Sequence, residues 1–228
     1  MHTTLTIFTL TPGHTRWGLA QMGLGPRALR SVPGLRFFQL LGSGAGGFGL
    51  WPNLRRYALL AVWESAEAAG HFRATHPLWA AYQARCAETW SAVLAPFKAQ
   101  GRWDGVNPFD YAIAPPPPNP PVAVLTRASI NVLKSASFWR FVRPTSAALA
   151  AAEGVRLAVG LGELPLVRQA TFSVWESAEA MQRYAYHSPE HREAMRRTRR
   201  ENWYSEELFA RFYVLSSEGS VDGVTLAG

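Results

Sequence analysis

The chain has 228 residues, of which 48% are hydrophobic and 17% charged, with nine tryptophans, one cysteine and a net charge of +7. Such a composition excludes a disordered chain, and the lone Cys86 excludes an internal disulfide, so a reducing compartment is expected. Neither a signal-like leader nor an apolar run of about 18 residues stands in the sequence, which points to a cytoplasmic protein. The basic excess is densest at Arg192, Arg196, Arg197, Arg199 and Arg200. Glu190, Glu193 and Glu201 interrupt that cluster, so it reads as a solvated helix face and no nucleic-acid partner is expected.

In chain order, Leu5 to Leu10 alternates like a strand, Pro12-Gly13 ends it, and Trp17 to Leu29 carries helical spacing. A second strand spans Leu35 to Leu41. The glycine-rich loop from Gly42 to Gly49 lacks the Lys-Ser/Thr of a phosphate loop and the strand–helix setting of a dinucleotide fingerprint. Arg56 to Trp63 is an almost continuous apolar strand. Ser65 caps a short helix that breaks at Thr75-His76-Pro77, and from Pro77 a longer helix is predicted to bury Trp79, Tyr82, Cys86 and Trp90. A weak fourth strand falls at Phe97 to Trp103.

This first half, residues 1–113, reads β-α-β-β-α-β, the ferredoxin-like order. A proline-rich linker occupies 114–121, since polyproline is extended and cannot join a ladder. The second half, 122–215, repeats the pattern. It has strands at Val122 to Ile130, Val155 to Leu161, Leu166 to Trp175 and Phe209 to Leu215, a helix opening at Ser137 to Val142, and a broken helix capped by Ser177. Residues 216–228 read as a loose tail. The expected fold is α+β, with duplicated ferredoxin-like halves packed as a pseudo-dimeric α+β barrel.

The duplication is written in the sequence. Val62–Ala68 and Val174–Ala180 are the same seven residues, 112 positions apart. Each copy runs on to a helix-starting proline, Pro77 and Pro189, and then to a tryptophan, Trp90 and Trp203. At the same spacing Trp79 becomes His191, so a buried ring is exchanged for a smaller one carrying a ligand atom. Met195 and Thr198 continue the inward face from His191. The residues alone leave two readings of His191 open, a hydrogen-bonded core histidine or a ligand. His187 stands four residues before it, but Pro189 starts the helix between them and no third ligand follows, which disfavours zinc. His76 aligns with the capping Ser188, His71 reads as exposed, and His2 and His14 are peripheral. Cys86 falls on a core stripe, and no Gly-x-Ser-x-Gly elbow is present.

Several segments, in order along nearly the whole chain, carry a resemblance. Trp17–Gly23, Pro33–Phe38, Leu41–Gly44, Leu125–Ala128, Gly160–Pro165, Gln169–Trp175 and Asn202–Phe212 are similar to the spheroidene monooxygenase (acyclic carotenoid ketolase) family. The resemblance implies a haem-dependent dimeric α+β barrel oxygenase that hydroxylates or ketolates a long apolar, carotenoid-like substrate with O₂. It further implies haem b with His191 as axial iron ligand, because Pro189-Glu190-His191 matches the family's Pro-x-His region. An electron donor such as a ferredoxin is then required. A single proximal histidine leaves the other haem face open, and a helix N-terminus keeps the ring neutral. Arg127 is expected to pair the propionates, with Phe138, Phe172 and Met195 as the apolar wall. Peripheral contact with the inner membrane and an oligomer stay open. The competing classes are a non-catalytic barrel that binds haem or another apolar ligand, and a cofactor-free oxygenase of the same architecture.

Overall fold

The computed structural model describes every residue except Gly47, Phe48, Leu50, Ala114, Pro116, Pro117, Pro165 and the last three, 226–228; of Arg143 it describes the backbone only. Part of the expected linker therefore lies outside the described residues. The chain forms two compact units, one of Met1–Gly42, Asn53–Ala95 and Val214–Gly228, the other of Ser43–Pro52 and Pro96–Tyr213. The division does not fall at the proline-rich segment. Among the described residues no helix is long and apolar enough to cross a membrane.

The first copy runs β1 (His2–Leu10), α1 (Thr15–Leu29), β2 (Leu35–Gly44), β3 (Pro52–Trp63), α2 (Ala66–Thr75), α3 (Pro77–Gln83) and β4 (Cys86–Gly101). The second runs β5 (Val122–Ile130), α4 (Ser135–Ala150), β6 (Val155–Leu164), β7 (Arg168–Trp175), α5 (Ala178–His187), α6 (Pro189–Glu201) and β8 (Tyr204–Val221), followed by the short β9 (Val224–Thr225). Strand order is β4-β1-β3-β2 in the first and β6-β7-β5-β8 in the second, so each has its first strand flanked by its third and fourth. The α+β class and the duplicated βαββαβ order are as predicted.

The copies agree in fine detail. Ser65 and Ser177 hold extended backbone and accept the Ala68 and Ala180 N–H, each at 3.2 Å. Gly34 and Gly154 take positive φ, 74° and 78°, with the Ala68 and Ala180 methyls 2.7 Å from where a Cβ would stand. Glycine is needed there for both reasons. Trp63 and Trp175 are both buried and pair across the ladder with His2 and Val122. Removing the Ser177 cap leaves a helix N–H unpaired, so Ser177→Ala is expected to lower stability by about 1 kcal/mol in urea unfolding, with Ser65→Ala close to it.

Three expectations fail. The helix from Pro77 ends at Gln83, and Cys86 and Trp90 lie on β4, where pairing with Thr3–Leu10 satisfies the main chain that a longer helix would have used. The three- and four-residue spacing that suggested one helix spans a helix, a turn and a strand. Trp90 pairs with Ile7, and its register counterpart is Leu208, which pairs with Arg127. Trp203 precedes its strand and is not its equivalent, although both indoles are buried. The expected loose tail is instead ordered through Thr225. Gly219, at φ 87°, lets the backbone close on the Thr89 carbonyl, and Glu218 and Asp222 pair with Arg73 and Arg56.

Candidate functional site

His191 is placed by its helix start. Ser188 Oγ accepts the His191 N–H at 3.2 Å, Pro189 opens α6, and the ring is carried onto the face of α6 directed at the protein. On the other face Glu193 binds Arg196 and Arg197, the solvated stripe read from sequence. The imidazole is half-buried, 5.1 Å from the Tyr184 ring, which lies 5.3 Å from Trp175. Burial pushes its pKa below 6.5, so the ring is neutral and has a lone pair to give. Among the described residues nothing hydrogen-bonds either ring nitrogen, whereas His76 and His14 each use Nδ1 locally. His187 is exposed at the end of α5, and no cluster of three or more His, Cys, Asp or Glu that could hold a metal stands among the described residues. Cys86 is part-buried, and burial pushes its thiol pKa up, so it is inert.

The two copies differ in what fills the space between sheet and helices. In the first, Phe8 stacks on Tyr82 at 4.4 Å and meets Trp79 edge-on at 5.5 Å, while Trp17 meets Tyr82 at 4.9 Å. Only about 10 Å³ is left among Phe8, Leu40, Phe72, Trp79 and Tyr82. Strand register and helix starts give the second-copy counterparts. Phe8 pairs with Tyr57 where Ala128 pairs with Gln169; Pro77 and Pro189 align Trp79 with His191 and Tyr82 with Ala194. From Thr15 and Ser135, Trp17 aligns with Ser137; from Leu35 and Val155, Leu40 aligns with Gly160. Four packed rings become Ala128, Ser137, His191 and Ala194. The helix-side cluster shrinks to match, from eleven buried residues in the first copy to Val122, Leu149, Trp175, Ala180 and Met181 in the second. Because interiors are close-packed, the exchange of four packed rings for smaller side chains changes what the layer between sheet and helices must accommodate beside His191.

A cleft of about 240 Å³ in the first unit runs along Trp63, Phe72 and Trp79, with Thr4, Thr6 and Ser91 beneath. Arg73 closes it by lying over the Trp79 ring at 5.1 Å and pairing with Glu218. The counterpart of Arg73 is Ala185, and the matched glycines Gly101 and Gly219, both at φ 87°, make Gln100 the counterpart of Glu218. The second unit therefore lacks that ionic closure beside Tyr184 and His191.

Other expected site residues fall elsewhere. Successive strand side chains alternate faces. Val122, Val124 and Trp175 pack on the helix side, so Arg127 and Phe172 point to the opposite face of the sheet from His191. Arg127 is fully buried and faces Glu163, Glu206 and Asp104, the first at 2.9 Å, with Trp103 beneath at 5.4 Å. The expected propionate role is corrected, because its charge is already neutralised by carboxylates. Met195 is 44% exposed; the inward stripe of α6 runs His191, Ala194, Thr198, with Ala194 in the place predicted for Met195. Phe138 is half-buried against Trp203 at 5.7 Å and Tyr204 at 5.9 Å, at the α4 end of the same helical layer. The small residues were missed because the spacing between the copies changes from element to element. One fixed offset aligns Trp79 with His191 but not Phe8 with Ala128.

The duplicated α+β architecture is shared with known structures. An aldoxime dehydratase crystallised with butyraldoxime superposes with a TM-score of 0.57 at 11% identity, covering 94% of this chain and 79% of that one. A second aldoxime dehydratase gives 0.55 at 12%, covering 93% and 80%. Residues 137–215 match a domain of unknown function (DUF3291). Over nearly the whole length the chain is 40% identical to the spheroidene monooxygenase of Rhodobacter capsulatus, covering 90% of this chain and 86% of that protein. It is 39% identical to the Rubrivivax gelatinosus enzyme of the same name (94% and 82%) and 35% identical to that of Cereibacter sphaeroides (96% and 68%). The chain belongs to the spheroidene monooxygenase family, and it is an oxidoreductase of the monooxygenase kind.

Proposed function

We propose that the chain is a haem-dependent monooxygenase that uses O₂ to hydroxylate and then ketolate an unactivated carbon of a long, apolar, carotenoid-like substrate. The observation that carries this reading is the exchange of the Phe8–Trp17–Trp79–Tyr82 cluster for Ala128, Ser137, His191 and Ala194 in the second copy. One coordinating side chain is introduced where four packed aromatic side chains stand in the first copy. That set fits a flat, apolar, iron-bearing group: a neutral imidazole whose nitrogens take no hydrogen bond among the described residues, beside the small residues Ala128, Gly160 and Ala194. Haem b is the proposed occupant, and bound there it would supply O₂ activation and one-electron chemistry.

The chain's own residues bind and orient. Ser188 fixes the first turn of α6, and Tyr184 sets the tilt of the imidazole, its hydroxyl donating to the Thr145 carbonyl at 3.4 Å. Burial pushes the Tyr184 phenol up to about 12, so it orients the ring and does not exchange protons near neutrality. Gly160 and Ala194 give access to the sheet face, and Trp175 excludes water behind Tyr184. The electrons come from outside the chain, with a ferredoxin-type donor proposed. A substrate of this apolarity resides in lipid, which favours a cytoplasmic protein working peripherally at the inner membrane.

The test is the visible spectrum of purified protein titrated with haem. A saturable Soret band at one haem per chain, with O₂ uptake on adding reductant and an acyclic carotenoid, is the expected result. Protein that takes up no haem ends the reading.

A further inference from the structure

We propose that Arg211 is the anion-holding residue of the His191 site and takes the carboxylate edge of its flat apolar ligand. Arg211 pairs with Val124 on the ladder, and Val124 and Tyr213 pack on the helix side, so alternation directs Arg211 to the face that carries His191. In the first copy the pair Thr4–Val93 holds the same ladder position, and both residues line the cleft beside Trp79. Arg211 therefore stands where Val93 does, and Phe209 where Ser91 does.

Its surroundings set it apart from the buried Arg127. Arg127 has three carboxylates around it. Arg211 has none within ion-pair distance among the described residues; its guanidinium lies 5.2 Å over the Phe209 ring, and its Nε is enclosed without a hydrogen-bond partner. An enclosed Nε without a partner works against the unliganded fold, since burial strips its water and returns no hydrogen bond. A planar fork of donors answers a carboxylate bidentately. Lys98, in the place of Ser216 at the rim, adds positive charge. The ligand class that fits is planar, apolar and carboxylate-edged.

The inference rests on reading the His191 face as the ligand site, and metal-free protoporphyrin IX tests it without iron ligation. Binding of the free acid and of its dimethyl ester is followed by fluorescence for the parent, Arg211→Met, Arg211→Lys and His191→Ala. The parent is expected to prefer the acid, and Arg211→Met to weaken acid binding about tenfold to a hundredfold while leaving the ester unchanged. Arg211→Lys should restore part of the preference, and His191→Ala should keep it. Arg211→Met should melt at or above the parent temperature, which separates a binding role from a structural one. Equal effects of Arg211→Met on acid and ester, a preference that survives it, or a parent that binds neither compound would each overturn the proposal. If the porphyrin results hold while haem gives no His191-dependent spectrum, the oxygenase reading fails and Arg211 keeps its role.

Discussion

His191→Ala is expected to abolish the Soret band, or leave haem that washes out on gel filtration, while circular dichroism and the melting transition stay close to the parent. The side chain is half-buried against Tyr184, and among the described residues its ring makes no hydrogen bond, so its removal breaks no described network. Imidazole added to this variant should restore part of the spectrum, because the free base enters the space left behind. A more demanding form rebuilds the first copy in the second. Ala128→Phe with Ala194→Tyr restores two rings that stack at 4.4 Å in the first unit. That double variant keeps His191, yet it should bind no haem and should melt higher than the unliganded parent, since refilling an underpacked core stabilises. His191→Ala with an unaltered haem spectrum would move the ligand elsewhere. A refilled variant that binds haem as the parent does would show that the volume lies outside these residues.

The second large effect belongs to stability. Arg127→Met removes one cation from among Glu163, Glu206 and Asp104 and leaves their charges facing one another around a buried gap. The expected loss is about 3–5 kcal/mol in urea unfolding, the range for breaking a buried ionic cluster by deleting one partner. The pH dependence follows with its sign. Burial raises the pKa of Glu206, but the Gly105 and Asp104 N–H groups and Arg127 outweigh it and hold the carboxyl below 4.5. A depressed carboxylate stabilises the fold above its unfolded value and loses that contribution as pH falls through the folded value. The parent should therefore lose stability below about pH 4.5, and Arg127→Met, whose Glu206 carboxyl is no longer held as low, should lose less over that range. Acid titration of both proteins by tryptophan fluorescence checks this, and coincident curves would remove Arg127 from the account.

Much of this was legible in the letters. The identical Val62–Ala68 and Val174–Ala180 segments located the duplication, and Ser65, Ser177, Pro77 and Pro189 located four helix starts. His191 stood out because its counterpart is a tryptophan in a segment of otherwise high agreement. Arg127 misled, because the sequence shows that an arginine follows Thr126 but not which face of the strand it occupies. One step of alternation decides that, and the register with Ala170 supplies it. Arg211 went unnoticed for the same reason in reverse. The helical reading of Cys86 and Trp90 failed because a short helix, a turn and a strand can mimic one helical stripe. Pairing with β1 is a long-range fact that local spacing does not contain.

The unequal packing of the two copies bears on how the protein survives in a cell. Its first copy packs four rings together where the second has Ala128, Ser137, His191 and Ala194, and under the proposed function a guest molecule completes the second. A ligand that binds only the folded form shifts the folding equilibrium in proportion to its free concentration. The abundance of the protein should thus follow the supply of that guest, with chains made in its absence opening more often and being cleared by proteolysis.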